Sequence, residues 1–315
     1  MFYFSLFLFF TSFFVSLIST PFLMKIAKKK QLFDVYQGDE LKIHKASISY
    51  FGGLAMVLST IVVLVLIGFY QKNFYWQIIG IISGALIIFL LGFWDDLKWK
   101  HISKIKPRKK FALLIICSLL SAVFLVVSGT KINFFPRIYF AIILTWAYIF
   151  VLINAVNYQD GIDGLAGGLT AISLLGFITL SVFTGNTFSL FFSLILLGSV
   201  FGFLVFNFPP AKIFMGDSGA YFLGFILAVM AAIFSEPYNL SNIFGPIFII
   251  GLPIFDGVVT NIRRLLGKKS IFLGDREHFY DRIHLKRGFS VKKTILICYV
   301  IQAIFVVIGL LIFNL

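Results

Sequence analysis

At 315 residues, 60% hydrophobic and with a mean hydropathy of +1.00, this chain is too apolar to be a soluble domain of its length. Only 13% of it is charged, yet the formal balance is +14, so positive charge is concentrated between apolar runs. A nucleic-acid-binding module is excluded, because it would need a soluble basic unit and the runs leave none.

Crossing about 30 Å of hydrocarbon takes roughly 20 helical residues. Ten runs meet that length: 2–24, 50–70, 76–94, 110–128, 136–154, 164–184, 187–206, 214–234, 243–262 and 294–313. The first lacks the basic leader and small-residue cleavage site of a signal peptide and is read as a span. The third ends on Asp95-Asp96, and the fifth ends in a polar, glycine-rich stretch from Asn154 to Gly168. The sixth and seventh are divided only by Thr184-Gly185-Asn186, and the seventh stops at Pro209-Pro210. Cys117 and Cys298 fall inside apolar runs and read as small buried hydrophobes. The longest polar connection, 263–293, is a loop. The expectation is an all-α integral membrane protein of about ten transmembrane helices, forming one polytopic domain over 1–315.

Lys and Arg bias decides which side each loop occupies. The loops after the first, third, seventh and ninth runs hold 24 of the 27 basic residues, leaving Lys72, Lys131 and Arg137 on the other side. With ten spans, both termini then lie outside and the basic loops are cytoplasmic. Of the 13 acids, Glu236 alone is in an outer loop and Asp256 lies within a run; the other 11 share the inner side. Attraction to anionic inner-leaflet lipid accounts for the basic face, and a mouth for a polyanionic substrate is compatible with it.

Acids at span ends are the informative ones. Asp95 and Asp96 end a helix whose dipole disfavours negative charge there by a few tenths to about 1 kcal/mol each, which points to a cation site or a pair poised for proton transfer. In the second cluster, Asn154, Asn157, Asp160 and Asp163 recur every third residue. Such steps drift by about 60° on an unbroken helix, and Gly161, Gly164, Gly167 and Gly168 signal a turn into the next span. Irregular backbone at membrane depth is tolerated where it lines a cavity, and ionisable residues beside it read as functional. The third cluster runs from Asn207 to Gly219, with Asp217 at a helix start, where it could simply be a cap. The fourth, Asp275 to His284, surrounds acids with His and Arg that can hold a pyrophosphate. Carboxylates converging on one face suit a hard cation such as Mg²⁺, whereas zinc is disfavoured because the inner loops contain no Cys and the His residues lack ligand spacing.

In this order the motifs resemble the polyprenyl-phosphate N-acetylhexosamine-1-phosphate transferase family. The resemblance covers nearly the whole chain: Ile43-His44-Lys45 through Gly52-Gly53, Gly92-Phe93-Trp94-Asp95-Asp96, Asn154 through Gly168, Asn207 through Gly219, Leu252-Pro253-Ile254-Phe255-Asp256 and Asp275-Arg276-Glu277-His278. It implies a multi-pass enzyme of the bacterial inner (plasma) membrane with a cytoplasmic site. That enzyme transfers a sugar-1-phosphate from a UDP-HexNAc, by default UDP-GlcNAc, to undecaprenyl phosphate. UMP is released, and the lipid-diphosphate-sugar starts a surface polysaccharide such as an O-antigen or teichoic acid. The resemblance also implies Mg²⁺, with Mn²⁺ as a substitute, and leaves a homodimer open. By this likeness Asp95, Asp96, Asp160, Asp163 and His278 are catalytic. Lys45, Asn157, Asn207, Phe214 and Arg282 bind the nucleotide and diphosphate, and Asp217 with Asp160 holds the metal.

Two departures stand out. Ala46-Ser47-Ile48-Ser49 replaces prolines common in the first inner loop. Where relatives often have His-x-His-His-Arg, this chain has His278-Phe279-Tyr280-Asp281-Arg282, which bears on the sugar contacts and argues against the muramoyl-pentapeptide branch. Two rivals fit less well. A CDP-alcohol phosphotransferase wants an Arg where Gly167 stands, and a secondary transporter predicts midplane acids and an internal repeat.

Overall fold

A computed structural model of the chain describes residues 2–30, 48–99, 107–135, 137–268 and 276–313; Lys45 and Asp275 lie outside them. The described part is helical: α1 (Phe2–Lys29), α2 (Gly52–Tyr70), α3 (Tyr75–Trp99), α4 (Pro107–Val127), α5 (Ile138–Gln159), α6 (Leu165–Thr184), α7 (Thr187–Asn207), α8 (Gly216–Ile233), α9 (Ser241–Ile249), α10 (Gly251–Leu266), a single turn α11 (Phe279–Asp281) and α12 (Val291–Ile312). Among the described residues, nine helices (α1 to α8 and α12) are long and apolar enough to cross a membrane.

The expected ninth span, 243–262, is not a straight helix. It is the pair α9 and α10, bent by 88°, and counting that pair as one span gives ten. Pro253 has no N–H, so the carbonyl of Ile249 loses its helical donor at this point. Beyond the bend, α10 buries Asp256, Thr260 and Arg264 and exposes Phe255, Val258, Val259, Ile262, Leu265 and Leu266. The run is apolar on average, but its polar residues share one face. The thin division between α6 and α7 is real. Gly185 adopts φ +67°, and the Asn186 side chain accepts the Ser189 N–H at 3.0 Å to start α7.

The bundle is built around α8, 89% of whose apolar segment is buried against 28% for α1 and α12. Helices α2, α3 and α5 pack on α8, while α1 docks on α7 at the periphery and turns Phe7, Phe10, Phe14 and Phe22 outward. In lipid there is no hydrophobic drive between helices, so close approach at small residues does that work. At Gly198 and Gly202 of α7 an added Cβ would sit 2.3 Å from the Phe9 carbonyl oxygen and 2.5 Å from that of Phe13. Gly202→Ala is therefore expected to cost about 1–3 kcal/mol, read as a lower melting temperature in detergent. The control Gly68→Ala, whose Cβ meets only Ile78 Cδ1 at 3.7 Å, should melt like the parent.

Candidate active site at the start of α8

Two spans, α2 and α3, meet the first turn of α8 backbone to backbone. Gly53 of α2 and Gly92 of α3 approach so closely that a Cβ would lie 2.4 Å from the Gly219 nitrogen and 2.6 Å from Ser218 Cα, respectively. Gly216 enters α8 at φ +71°, and a side chain there would meet Asp96 Oδ2 at 2.5 Å. The α8 terminus has no side-chain cap of its own. Asp96 supplies one from α3: Oδ1 accepts the Asp217 N–H at 2.9 Å and Oδ2 the Ser218 N–H at 3.0 Å. A carboxylate here satisfies two orphan donors and faces the positive end of the dipole.

The approach to α8 is pinned from its other side. Asn207 donates Nδ2–H to the Ile213 carbonyl at 2.9 Å and accepts the Gly164 N–H at 3.0 Å. Asp163 Oδ2 accepts the Ala211 N–H at 3.0 Å. Phe214 donates its N–H to the Ser49 carbonyl and accepts from Gly52 N–H, joining this loop to the start of α2. The glycine-rich turn after α5 and the loop before α8 thus form one unit.

Asp217, held by that frame, faces a cation. Lys110, at the start of α4, places Nζ 3.0 Å from Asp217 Oδ2 and in contact with the carboxylate of Asp95. Asn157 of α5 donates to Asp217 Oδ1 at 2.9 Å. Asp95 is buried, whereas Lys110 and Asp217 remain about one-third exposed at 31% and 32%, so the cluster opens on its Asp217 side. Two carboxylates around one ammonium make a hard, oxygen-rich, cation-holding environment.

A second buried acid organises the last loop. Asp256 on α10 accepts from Gln159 Nε2 at 2.8 Å and from the Phe279 N–H at 2.8 Å, and its Oδ2 lies 2.9 Å from His278 Nδ1. Thr260 Oγ1 is 3.3 Å from the same ring nitrogen, and the His278 ring lies against Tyr158 and Tyr280. A carboxylate on one imidazole nitrogen fixes the ring's orientation and leaves the other nitrogen for work. Tyr280 is buried with its hydroxyl against Gly161, which ties the last loop to the Asp160–Asp163 turn. Asp281 is buried beside Arg276; burial pushes its carboxyl above the usual range, and Arg276 opposes that rise.

Comparison with known proteins shows the family of the chain. The model for glycosyl transferase family 4 matches residues 78–235. A probable undecaprenyl-phosphate N-acetylglucosaminyl 1-phosphate transferase of Bacillus subtilis is 34% identical over 92% of this chain and 79% of its own. The chain belongs to this family. Phospho-N-acetylmuramoyl-pentapeptide-transferases are also similar: that of Caldicellulosiruptor bescii is 31% identical over 95% of this chain and 94% of its own, and one from Streptococcus pneumoniae is 30% identical over 73% of each.

The family motifs do not all do the same work here. Asp95, Asn157 and Asp217 meet around Lys110, while Asp96, Asp163 and Asn207 spend side-chain atoms on backbone groups that shape the site. Asp160 ends α5, and His278 joins Asp256 on the α10 side. Phe214 is half-buried among Tyr50, Phe51 and Phe93. Arg282 is half-exposed, with Nη2 3.6 Å from Glu277 Oε2. Lys45 lies outside the described residues. Sequence reasoning passed over Lys110, counting it with the inner basic residues. Its place as the first residue of the fourth apolar run gave no separate signal, because basic residues at inner span ends follow from topology alone. Asp96→Ala should lower stability by about 1–3 kcal/mol through the orphaned N–H groups, and Asp95→Ala by less, since Lys110 keeps Asp217. Thermal unfolding in detergent compares them, and equal losses would contradict the division.

Proposed function

We propose that this protein transfers HexNAc-1-phosphate from a UDP-sugar, with UDP-GlcNAc the default donor, to undecaprenyl phosphate, starting a surface polysaccharide. The observation that carries the reading is the Lys110–Asp95–Asp217–Asn157 cluster at the start of α8, in a chain of this family. The relatives named for undecaprenyl-phosphate and muramoyl-pentapeptide chemistry support the lipid phosphate and the phosphosugar. The inner-side excess of basic residues supports a cytoplasmic site and outside termini in a bacterial plasma membrane.

In the reaction, an oxygen of the lipid phosphate attacks the donor's β-phosphorus. The bond from that phosphorus to the bridging oxygen breaks, and the electron pair leaves with UMP. Asp95, beside Lys110, is the group suited to take a proton from the lipid phosphate. Lys110 and the positive end of α8 stabilise charge as it moves between phosphates. His278, oriented by Asp256, lies on the last loop, where it can meet the donor's diphosphate or sugar. Asp217, about one-third exposed, and Asp160 are the carboxylates that would hold Mg²⁺, which takes one or two carboxylates plus substrate phosphates and would neutralise diphosphate charge.

Purified protein should release UMP from a UDP-HexNAc only with undecaprenyl phosphate and Mg²⁺ or Mn²⁺ both present, and EDTA should stop it. Lys110→Met and Asp217→Asn are expected to lower kcat by about 10²–10³-fold. Mass spectrometry of the lipid across UDP-GlcNAc, UDP-GalNAc and a 6-deoxy-HexNAc donor identifies the sugar. Folded protein that releases no UMP from any of them would overturn the assignment.

A further inference from the structure

Where α9 gives way to α10, the chain is bent by 88°, and Pro253 cannot supply the N–H that the Ile249 carbonyl would otherwise accept. Backbone groups freed at membrane depth cost several kcal/mol apiece unless another protein group takes them up. One side chain takes up both sides of this break. Gln302, fully buried on α12, accepts the Leu252 N–H through Oε1 at 2.9 Å and donates through Nε2 to the Ile249 carbonyl at 2.7 Å. The same Nε2 donates to Ser173 Oγ at 2.9 Å, and Ser173 in turn donates to the Leu169 carbonyl on α6.

An amide can do this because it carries an acceptor and two N–H donors on one rigid plane. The last turn of α9 and the first turn of α10 are thereby fastened to α12 and α6 together. Gly251 adds a steric component, since a Cβ there would lie 2.3 Å from the Phe305 ring of α12. One turn beyond the break, α10 presents Asp256, which holds His278 Nδ1 and the Phe279 N–H. The direction in which α10 leaves the bend therefore sets where Asp256 stands.

We propose that Gln302 is a positioning residue: it braces the α9–α10 bend and so places Asp256 under His278. The inference rests on the proposed transferase reading for its catalytic consequence, but the brace itself does not. Gln302→Met keeps side-chain length while removing all three hydrogen bonds. In a background with Cys117 and Cys298 replaced by Ala, spin labels at the exposed positions Leu265 on α10 and Leu175 on α6 report the bend. The parent should give one narrow distance distribution, and Gln302→Met a broadened or shifted one. An unchanged distribution overturns the proposal. If Gln302→Met does not yield folded protein, Gln302→Glu, which keeps the acceptor and loses the amide donors, takes its place.

Kinetics supply the second arm. Gln302→Met should lower kcat about tenfold with KM for the UDP-sugar unchanged, and it should lower it no further in a His278→Ala background, because groups acting as a unit are non-additive. Additive losses would mean a merely structural role and overturn the link to His278. An inert parent enzyme would sink the transferase reading, and the spin-label distances would still decide the brace.

Discussion

A single helix terminus organises this molecule. The α8 N-terminus is buried in the bundle, where its free N–H groups would be costly, and it cannot cap itself because Met215 offers no side-chain acceptor. Asp96 reaches across from α3 to do so. For that contact α3 must touch α8 backbone to backbone, hence Gly92, and α2 must do likewise, hence Gly53. The arrangement fixes Asp217 on a rigid frame, and the charges that meet it are Lys110, from α4 packed on α3 and α5, and through Lys110 the buried Asp95 of α3. The two neighbouring acids thus have different partners: Asp96 holds the start of α8, and Asp95 is buried against Lys110.

The same economy recurs on the other side of the site. A buried carboxylate on α10 gathers a glutamine from α5 and a histidine and a backbone N–H from the last loop. Neither acid could be tolerated in the bundle without such partners, since an unpaired charge at that depth is prohibitively costly. Glu277, on the last loop, is instead met by Arg263 at 3.2 Å and by the more distant Arg282 and Lys286. That ion cluster is half-exposed, so each pair is worth little.

Much of this was legible in the chain because the membrane imposes a strong filter. Apolar runs of the right length gave the helices at α1 to α8 and α12, and acids pressed against span ends stood out since hydrocarbon resists them. Averaged hydropathy hid the α9–α10 bend: Asp256, Thr260 and Arg264 are diluted by the apolar residues that α10 turns outward. Lys110 was masked for a related reason, because a cation at an inner span end already has an explanation in topology. Asp96 and Asn207 show the opposite limit. Their residue types signal a polar site, but only the fold reveals that their side chains are spent on the backbone of α8 and its approach. Tyr280 and Asp281 stood out only as departures from the motif of relatives; the fold shows both buried, one against Gly161 and the other beside Arg276.

In the proposed reaction the β-phosphorus of a UDP-sugar is passed to a lipid phosphate. Following the two phosphorus atoms of the donor tests it most directly. Protein is incubated with undecaprenyl phosphate and UDP-GlcNAc, or the donor that the panel identifies, carrying ³²P at either the α or the β position. The account predicts that β label moves into the organic phase with the lipid while α label stays in water as UMP. Label from the α position in the lipid, or both labels remaining aqueous with active, folded protein, would contradict it.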